Sequence, residues 1–451
     1  MLACSLLVGC GASDKAEEAD SATTAATQKN GDDEVAENTV DSTLKTGTPE
    51  KIDNINLWYT NDELTLYLTN CAIHFREASG VGVNLNLVSS VDYIEAIYKG
   101  TKEGNVADVY ILNTESLEKA YLAGIAAENK DTNICNDYNY PQVALDASTY
   151  KGKLIGYPFY YDTTFFLYNK DYVEAPGSFK DIVEFSNNYM GEYEKISTIL
   201  QWDVQDLFFS YSFVGNYLNF GGTCGDDASV IDINNANVIE ALTYFKQINQ
   251  ALYFDAADSS YDSVLKDFLD GKVLYTMGST ANLDEIIGSG INYGICTIPA
   301  LNDELQSKAV SINYAAVVNP YASNKDYATQ LAQWITFGHA EEFYSYTKKL
   351  PSRRLSVYPN EEWQHIAEQY EHTAILPKLM AATNYWLELE VTLNTIWDKE
   401  LDEETAINDN DGSLSEDELM ALRQEYIAGI IREYVTGEIG KLQTLMEEQI
   451  N

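Results

Sequence analysis

The stretch IGYPFYYDTTFFLYNK, Ile155 to Lys170, packs eight aromatic or proline side chains and two acids or amides into sixteen positions. Core strands are usually built from branched aliphatics, with tyrosine kept where its hydroxyl can reach water or a partner. Here tyrosines and Asp162 sit among phenylalanines. Two readings follow: a buried core strand, or a strand that leaves the core at a binding surface.

Working outward, NINLWYT places Ile55 and Leu57 in alternation before Trp58 and Tyr59, the pattern of a short strand. Asn61 and Asp62 can cap a helix. Leu64, Leu68, Cys71, Phe75 and Ala78 then recur every three or four residues, and Gly80 stands where a left-handed cap is wanted. VGVNLNLV resumes a period of two, with Val81, Val83, Leu85 and Leu87 on one side, and ADVYIL (Ala107 to Leu112) is another apolar strand. This β-α-β alternation predicts an α/β fold with helices on both faces of a mostly parallel sheet. Its ligand site should lie at the carboxyl ends of the strands, where Tyr59, Asp62 and Glu115 fall.

At 451 residues the chain is long enough for two lobes. Its 70 acidic against 28 basic residues give a formal charge of −42, which disfavours nucleic acid and anionic lipid as partners. Tyrosine is the outlier, with 33 copies against 15 Phe and 6 Trp, and it suits a surface wet in one state and covered in another. Cys71, Cys135, Cys224 and Cys296 form no C-x-x-C pair, so a zinc site is not indicated. Three disulfide pairings and free buried thiols all fit their spacing.

The first ten residues, MLACSLLVGC, resemble a bacterial lipobox through Leu7, Val8, Gly9 and Cys10, which implies diacylglyceryl modification of the Cys10 thiol. No basic stretch precedes them. Gly11 to Lys51 contains no aromatic residue and is rich in Ala, Thr, Ser, Asp and Glu, a composition expected to form a disordered tether. No apolar run approaches the roughly 18 residues of a membrane span, so the expected anchor is lipid alone.

YKGKLIGYPFYYDTTFFLYNKD resembles a segment of the family 1 extracellular solute-binding proteins, the maltose-binding-protein group, through Tyr150, Gly152, Lys153, Leu154, Gly156, Tyr157, Pro158, Leu167, Tyr168, Asn169, Lys170 and Asp171. DFLDGKVLYTMGSTANLDEI, INYGICTIPAL and KLPSRRLSV match three further segments of that family in order. The resemblance implies a two-lobe, type II periplasmic-binding-protein-like fold closing on a solute. The implied hinge crossings fall near Tyr160 to Thr164, Ser311 to Ala315 and Thr373 to Pro377. The first lobe would then comprise residues 52–160 and 315–373, and the second 161–314 and 374–451. On this reading Ile155 to Pro158 is strand and Phe159 to Asp162 leaves the core at the cleft.

The resemblance also implies a role: a monomeric binding protein, not an enzyme, that captures a carbohydrate and delivers it to the permease of an ABC importer at the outer face of the cell membrane. Asp162 falls where the maltose-binding protein has an acid that takes sugar hydroxyls. Sugar recognition needs flat rings for pyranose faces and planar carboxylates or amides for hydroxyls. Tyr59, Tyr160, Tyr161, Trp202, Tyr385 and Trp386 are the candidate rings, and Asp62, Glu115 and Asp162 the polar partners. For each ring, burial as core is the competing reading. Where the maltose-binding protein carries tryptophans, this chain has Ser279, Thr280, Ala281 and Asn282, so Asn282 is expected to supply hydrogen bonding instead.

Other readings compete. Adjacent Tyr160 and Tyr161 resemble the paired phenolates of ferric-binding relatives, though no histidine spacing supports a metal, and a polyamine is another non-sugar solute. Acids beside aromatics also build glycosidase clefts, but no matched acid pair, G-x-S-x-G or H-E-x-x-H marks one. A lipid-tethered adhesin would not need the hinge segments. Finally, the insertion at 407–418, INDNDGSLSEDE, resembles an EF-hand loop with Asp409, Asp411, Ser413 and Glu418 as candidate calcium ligands. Ile407 replaces the first ligand, so an acidic turn between helices competes with weak calcium binding. No other cofactor is expected.

Overall fold

The computed structural model describes residues 54–252, 259–401 and 415–450. Cys10, the tether, Asp409, Asp411 and Ser413 lie outside them. The strands are β1 (Asn54–Tyr59), β2 (Gly82–Leu87), β3 (Val109–Asn113), β4 (Thr149–Tyr150), β5 (Lys153–Leu154), β6 (Tyr157–Asn169), β7 (Thr198–Leu200), β8 (Asn219–Phe220), β9 (Ile231–Asp232), β10 (Val273–Ser279), β11 (Tyr293–Cys296), β12 (Val310–Val318), β13 (Leu350–Pro351) and β14 (Ala374–Ile375). The helices used below are α1 (Thr65–Ser79), α2 (Tyr93–Glu103), α3 (Leu117–Leu122), α4 (Gln142–Ala147), α5 (Phe179–Asn188), α6 (Leu207–Ser210), α7 (Ala236–Leu252), α8 (Tyr261–Leu269), α9 (Leu283–Gly288), α10 (Lys325–Gln333), α11 (Phe343–Thr347), α12 (Glu361–Glu371), α13 (Tyr385–Asp398) and α14 (Glu416–Ile450).

The opening β-α-β unit forms as its periodicity dictates. Asn61 Oδ1 accepts from Glu63 N at 3.0 Å and starts a 3-10 turn that runs into α1. Gly80 ends α1 at φ +76°, a left-handed conformation that costs glycine little. β1 pairs in parallel with β2 and β3. Leu87, expected on the buried side of β2, is 50% exposed. β2 is an edge strand paired only with β1, so packing covers only part of its apolar side.

One sheet order, β2-β1-β3-β12-β6-β10-β7, runs through both halves of the molecule, with β11 and β13 added on β6 and β14 on β12. β6 is one unbroken strand of 13 residues, so Phe159 to Asp162 does not leave the sheet as expected. The strand exchanges partners instead: Tyr157 to Thr163 pairs with β12, whereas Thr164 to Tyr168 pairs with β10. A register irregularity opposite Tyr314 and Ala315 leaves Phe159 as the extra residue of β6, a bulge in that strand at the crossing.

Apolar side chains collect on either side of the crossing. Around the first sheet half, Tyr67, Leu68 and Phe75 of α1 pack with Leu57 and Ile111 of the sheet and with Ala328 and Leu331 of α10. Trp58, Tyr110 and Val317 fill the opposite face together with Ile97 of α2 and Leu117 of α3. In the second half, Phe179, Trp202, Phe213, Phe245 and Trp397 form an aromatic core. α14 closes it with Ile431, Val435, Ile439, Leu442 and Met446, spaced at helical period and each at most 3% exposed. Every such side chain contributes roughly 1.5–3 kcal/mol by leaving water. Cys71, Cys135, Cys224 and Cys296 are free thiols, which settles the pairing the sequence left open. Among the described residues no helix is long and apolar enough to cross a membrane.

Candidate functional site

The site forms where β6 changes partners. Asp162 lies across from Ile312 of β12, and Tyr160 lies across from Tyr314. Residues two apart on a strand share a face, so Tyr160, Asp162 and Tyr314 line one side of the crossing. Tyr160 and Tyr314 stack with centroids 4.2 Å apart and planes 8° from parallel. Tyr160 is only 1% exposed, whereas Tyr314 is partly exposed and carries the outward face of the pair.

Asp162 is bracketed from both lobes. Thr280, directly after β10, donates from Oγ1 to Asp162 Oδ1 at 3.3 Å and accepts from Thr163 N at 3.0 Å. Lys349, directly before β13, places its ammonium 2.9 Å from Glu63 Oε2 and 5.9 Å from the Tyr160 ring centroid. Burial pushes the Asp162 carboxyl above its ordinary range, the Lys349 charge and the Thr280 hydroxyl pull it back, and Glu63 adds to the upward push. Burial would also raise Glu63, but the hydrogen bond and charge of Lys349 hold it below the usual carboxylate range.

The carboxyl ends of β1 and β3 supply the first lobe's rim. Asn113 Oδ1 accepts from Glu115 N at 3.0 Å, and its amide donates to Glu115 Oε1 at 2.9 Å. Burial raises the Glu115 carboxyl, and the Asn113 amide opposes this. Asp62 is exposed on the same rim. Tyr59 is 2% exposed and gives its hydroxyl to a 2.9 Å hydrogen bond with Thr65, so it supports the rim from below.

From Thr280 the second lobe's wall can be followed by contact. Ser279 N donates to the Tyr261 hydroxyl at 3.0 Å, and Tyr261 N donates to Asp203 Oδ2 at 2.9 Å. The Tyr261 ring lies 4.7 Å from Phe209. Asp206 caps α6 through Phe208 N at 2.8 Å, and Glu390 accepts from Leu207 N at 3.5 Å. One turn before Glu390 on α13, Trp386 stacks on Tyr211 at 5.8 Å and 17°. Trp386 is half-buried, with part of its ring open. Asn282, half-buried at the start of α9, donates to Glu285 at 3.2 Å. Phe209 and Tyr211 are buried behind this wall, which leaves Tyr261 and Trp386 as its partly open rings and Asp203, Asp206 and Glu390 as its partly open acids, the two kinds of group that a polyhydroxylated ring requires.

Three predicted rings lie elsewhere. Trp202 is fully buried, packed on Phe213 and Trp397, with Nε1 3.3 Å from Ser210 Oγ. Tyr161 is on the opposite face of β6, parallel to Tyr370 at 3.5 Å. Tyr160 and Tyr161 thus point to opposite faces, which removes the paired-phenolate geometry an iron site would need. Tyr385 is 2% exposed against Phe220 and lines a groove of about 480 Å³ with α4, β14 and the Tyr211 that also stacks on Trp386. Glu418 closes a capping box on α14, its carboxylate accepting from Ser415 N at 2.9 Å while Glu418 N donates to Ser415 Oγ at 3.3 Å.

Sequence reasoning missed Lys349, Glu63, Thr280, Tyr314, Tyr261, Tyr211 and Glu390. Lys349 and Thr280 sit inside recognised segments, KLPSRRLSV and YTMGSTANL, so proximity to those motifs was the available signal. The acids and rings of 203–211 and Glu390 lie in LQWDVQDLFFSYSF and AATNYWLELEV, the segments that hold the predicted Trp202, Tyr385 and Trp386, but which of their side chains meet was not legible, because only folding brings α6 against α13.

The profile of the bacterial extracellular solute-binding proteins matches residues 72–371. The galactooligosaccharide-binding protein of Bacillus subtilis (strain 168) is 20% identical over 334 residues, 70% of this chain and 78% of that protein. The maltotriose-binding protein of Pyrococcus abyssi (strain GE5 / Orsay) is 23% identical over 258 residues, 54% of each chain. Two solved structures share the fold: the extracellular solute-binding protein of Staphylococcus aureus in complex with maltose (TM-score 0.68, 19% identity, covering 87% of this chain and 98% of that one) and a cyclo/maltodextrin-binding protein complexed with maltotetraose (TM-score 0.70, 17% identity, 88% and 98%). With two-lobe topology, a strand that exchanges partners at the crossing and a profile match over most of the body, the chain belongs to the bacterial extracellular solute-binding protein family.

Proposed function

We propose that this protein captures an oligosaccharide at the crossing of its two lobes and delivers it to the membrane permease of an ABC importer, held at the outer face of the membrane by lipid on Cys10. The observation that carries the reading is Asp162: a carboxylate bracketed by Thr280 and Lys349, on a face shared with the Tyr160–Tyr314 stack and followed by a wall of rings and acids. Such a site orients hydroxyls with its polar groups and covers pyranose faces with its rings. The relatives named for galactooligosaccharide and maltotriose, and the fold neighbours holding maltose and maltotetraose, support this ligand class. Chemistry on the sugar is not part of the role.

Calorimetric titration against a panel of neutral oligosaccharides tests the proposal. Asp162→Ala should weaken the best ligand by at least tenfold, on the order of 2 to 4 kcal/mol, because it removes a partly buried charged acceptor of sugar hydroxyls. Unchanged affinity in folded Asp162→Ala would move the site elsewhere, and turnover of the sugar would favour a glycosidase.

A further inference from the structure

The groups around Asp162 restrict what the site accepts. Lys349 is 9% exposed and comes from the turn before β13, Glu63 from the 3-10 turn after β1, and Asp162 from the middle of β6. A nearly buried ammonium is stable only beside compensating charge. Here two carboxylates compensate it: Glu63 in direct contact at 2.9 Å, and Asp162 across the β13–β6 pairing, where Leu350 lies opposite Tyr161 and so sets Lys349 beside Asp162. The charged and titratable groups acting on Asp162 are Lys349 and Glu63, with the phenols of Tyr160 and Tyr161 on its own strand, and Thr280 is its hydrogen-bonding neighbour. One cation against two anions leaves a net charge of about −1 at the anchor.

We propose that Glu63, Lys349 and Asp162 form a charge-compensated anchor: Lys349 is a positioning residue that holds Asp162 as an acceptor of sugar hydroxyls, and with its charge already matched the site takes uncharged oligosaccharides and refuses those bearing carboxylates. This rests on the carbohydrate reading above and deepens it. A uronate carboxylate at the anchor would meet two fixed anions and a cation that they already pair. A sugar hydroxyl donates to Asp162 and meets no such repulsion.

Two measurements separate the anchor from the ligand reading. In the ligand-free protein, the Asp162 carboxyl is titrated by carbon-13 NMR, assigned by loss of its signal in Asp162→Asn. Lys349→Met should raise the titration midpoint, Lys349→Arg should restore it, and Glu63→Gln should lower it. A midpoint unmoved by both Lys349→Met and Glu63→Gln overturns the anchor. If Lys349→Met does not fold, Glu63→Gln, altered on the solvent side, decides by the opposite sign. Calorimetry then compares galactotriose and maltotriose with trigalacturonate. Neutral binding with trigalacturonate at least a hundredfold weaker is expected, and trigalacturonate binding as well as either neutral sugar overturns the exclusion. If neither neutral sugar nor any member of the panel binds, the carbohydrate reading fails, while the Asp162 titration still decides whether Lys349 controls that carboxylate.

Discussion

The ammonium of Lys378 donates to the main-chain carbonyl of Asp146 at 2.8 Å, tying the segment that returns to the second lobe onto α4 of the first. The same ammonium donates to the Cys224 carbonyl, and Lys378 N donates to Gly225 O at 2.7 Å. Close by, Lys151 N donates to the Asp226 carboxylate and Met380 N to the Glu118 carboxylate. These contacts join the lobes at a point separate from Asp162.

Lys378 is 2% exposed, and burial pushes its pKa down to about 8, against the opposing pull of Cys224, Asp226 and Asp146. In the unfolded chain lysine keeps its proton to about pH 10.4, so between pH 8 and that value the unfolded state binds more protons than the folded one. Stability therefore rises with pH across this window, and below pH 8 the full cost of the buried charge is present. The stability of the wild type relative to Lys378→Met should grow by up to about 3 kcal/mol from pH 8 to 10.4. Tyrosine ionisation is common to both proteins and cancels. Urea midpoints at pH 8, 9 and 10 measure it, and a constant difference would contradict it.

Trp202 and Trp386 should respond oppositely to truncation. Trp202→Ala empties the aromatic core of the second lobe and should cost about 3–5 kcal/mol of stability. Trp386→Ala removes a partly open ring and should leave the urea midpoint nearly in place while weakening sugar binding about tenfold, a stacking contribution of roughly 1–1.5 kcal/mol. Paired denaturation and calorimetry read both effects. Loss of affinity only in proportion to unfolding would remove Trp386 from the site.

Calcium should bind the 407–418 loop weakly. Ile407 offers no side-chain oxygen, and the Glu418 carboxylate is engaged in the α14 capping box. At about 1 mM calcium a site with a Kd on the order of 1 mM stabilises the fold by only about 0.4 kcal/mol, so Tm should rise by less than about 1 °C. A large stoichiometric shift by scanning calorimetry would mean that another ligand completes the site.

Replacing Cys10 by serine in the full-length precursor should release the protein from the membrane into the medium. Fractionation with an immunoblot checks it. Retention of Cys10→Ser on the membrane would require another anchor.

The sequence alone determined what depends on local periodicity and ordered motifs. Ile55 and Leu57, the α1 stripe ending at Gly80, and the β6 segment with its three companion motifs determined an α/β chain crossing a hinge. These signals are legible because each lies within one turn, one strand or one contiguous motif. Tertiary structure decided which polar and aromatic groups meet. Tyr160 and Tyr161 are equivalent as neighbours in sequence, yet β12 stacks Tyr314 on one while Tyr370 packs on the other, assigning them opposite faces. Trp202 and Trp386 are both aromatics at helix approaches, yet Phe213 and Trp397 enclose only the first. Lys349 pairs with Glu63 and lies beside Asp162 because the sheet brings β13 against β6 near the end of β1. Charge compensation of a buried ammonium acts through space, so chain order cannot encode it locally.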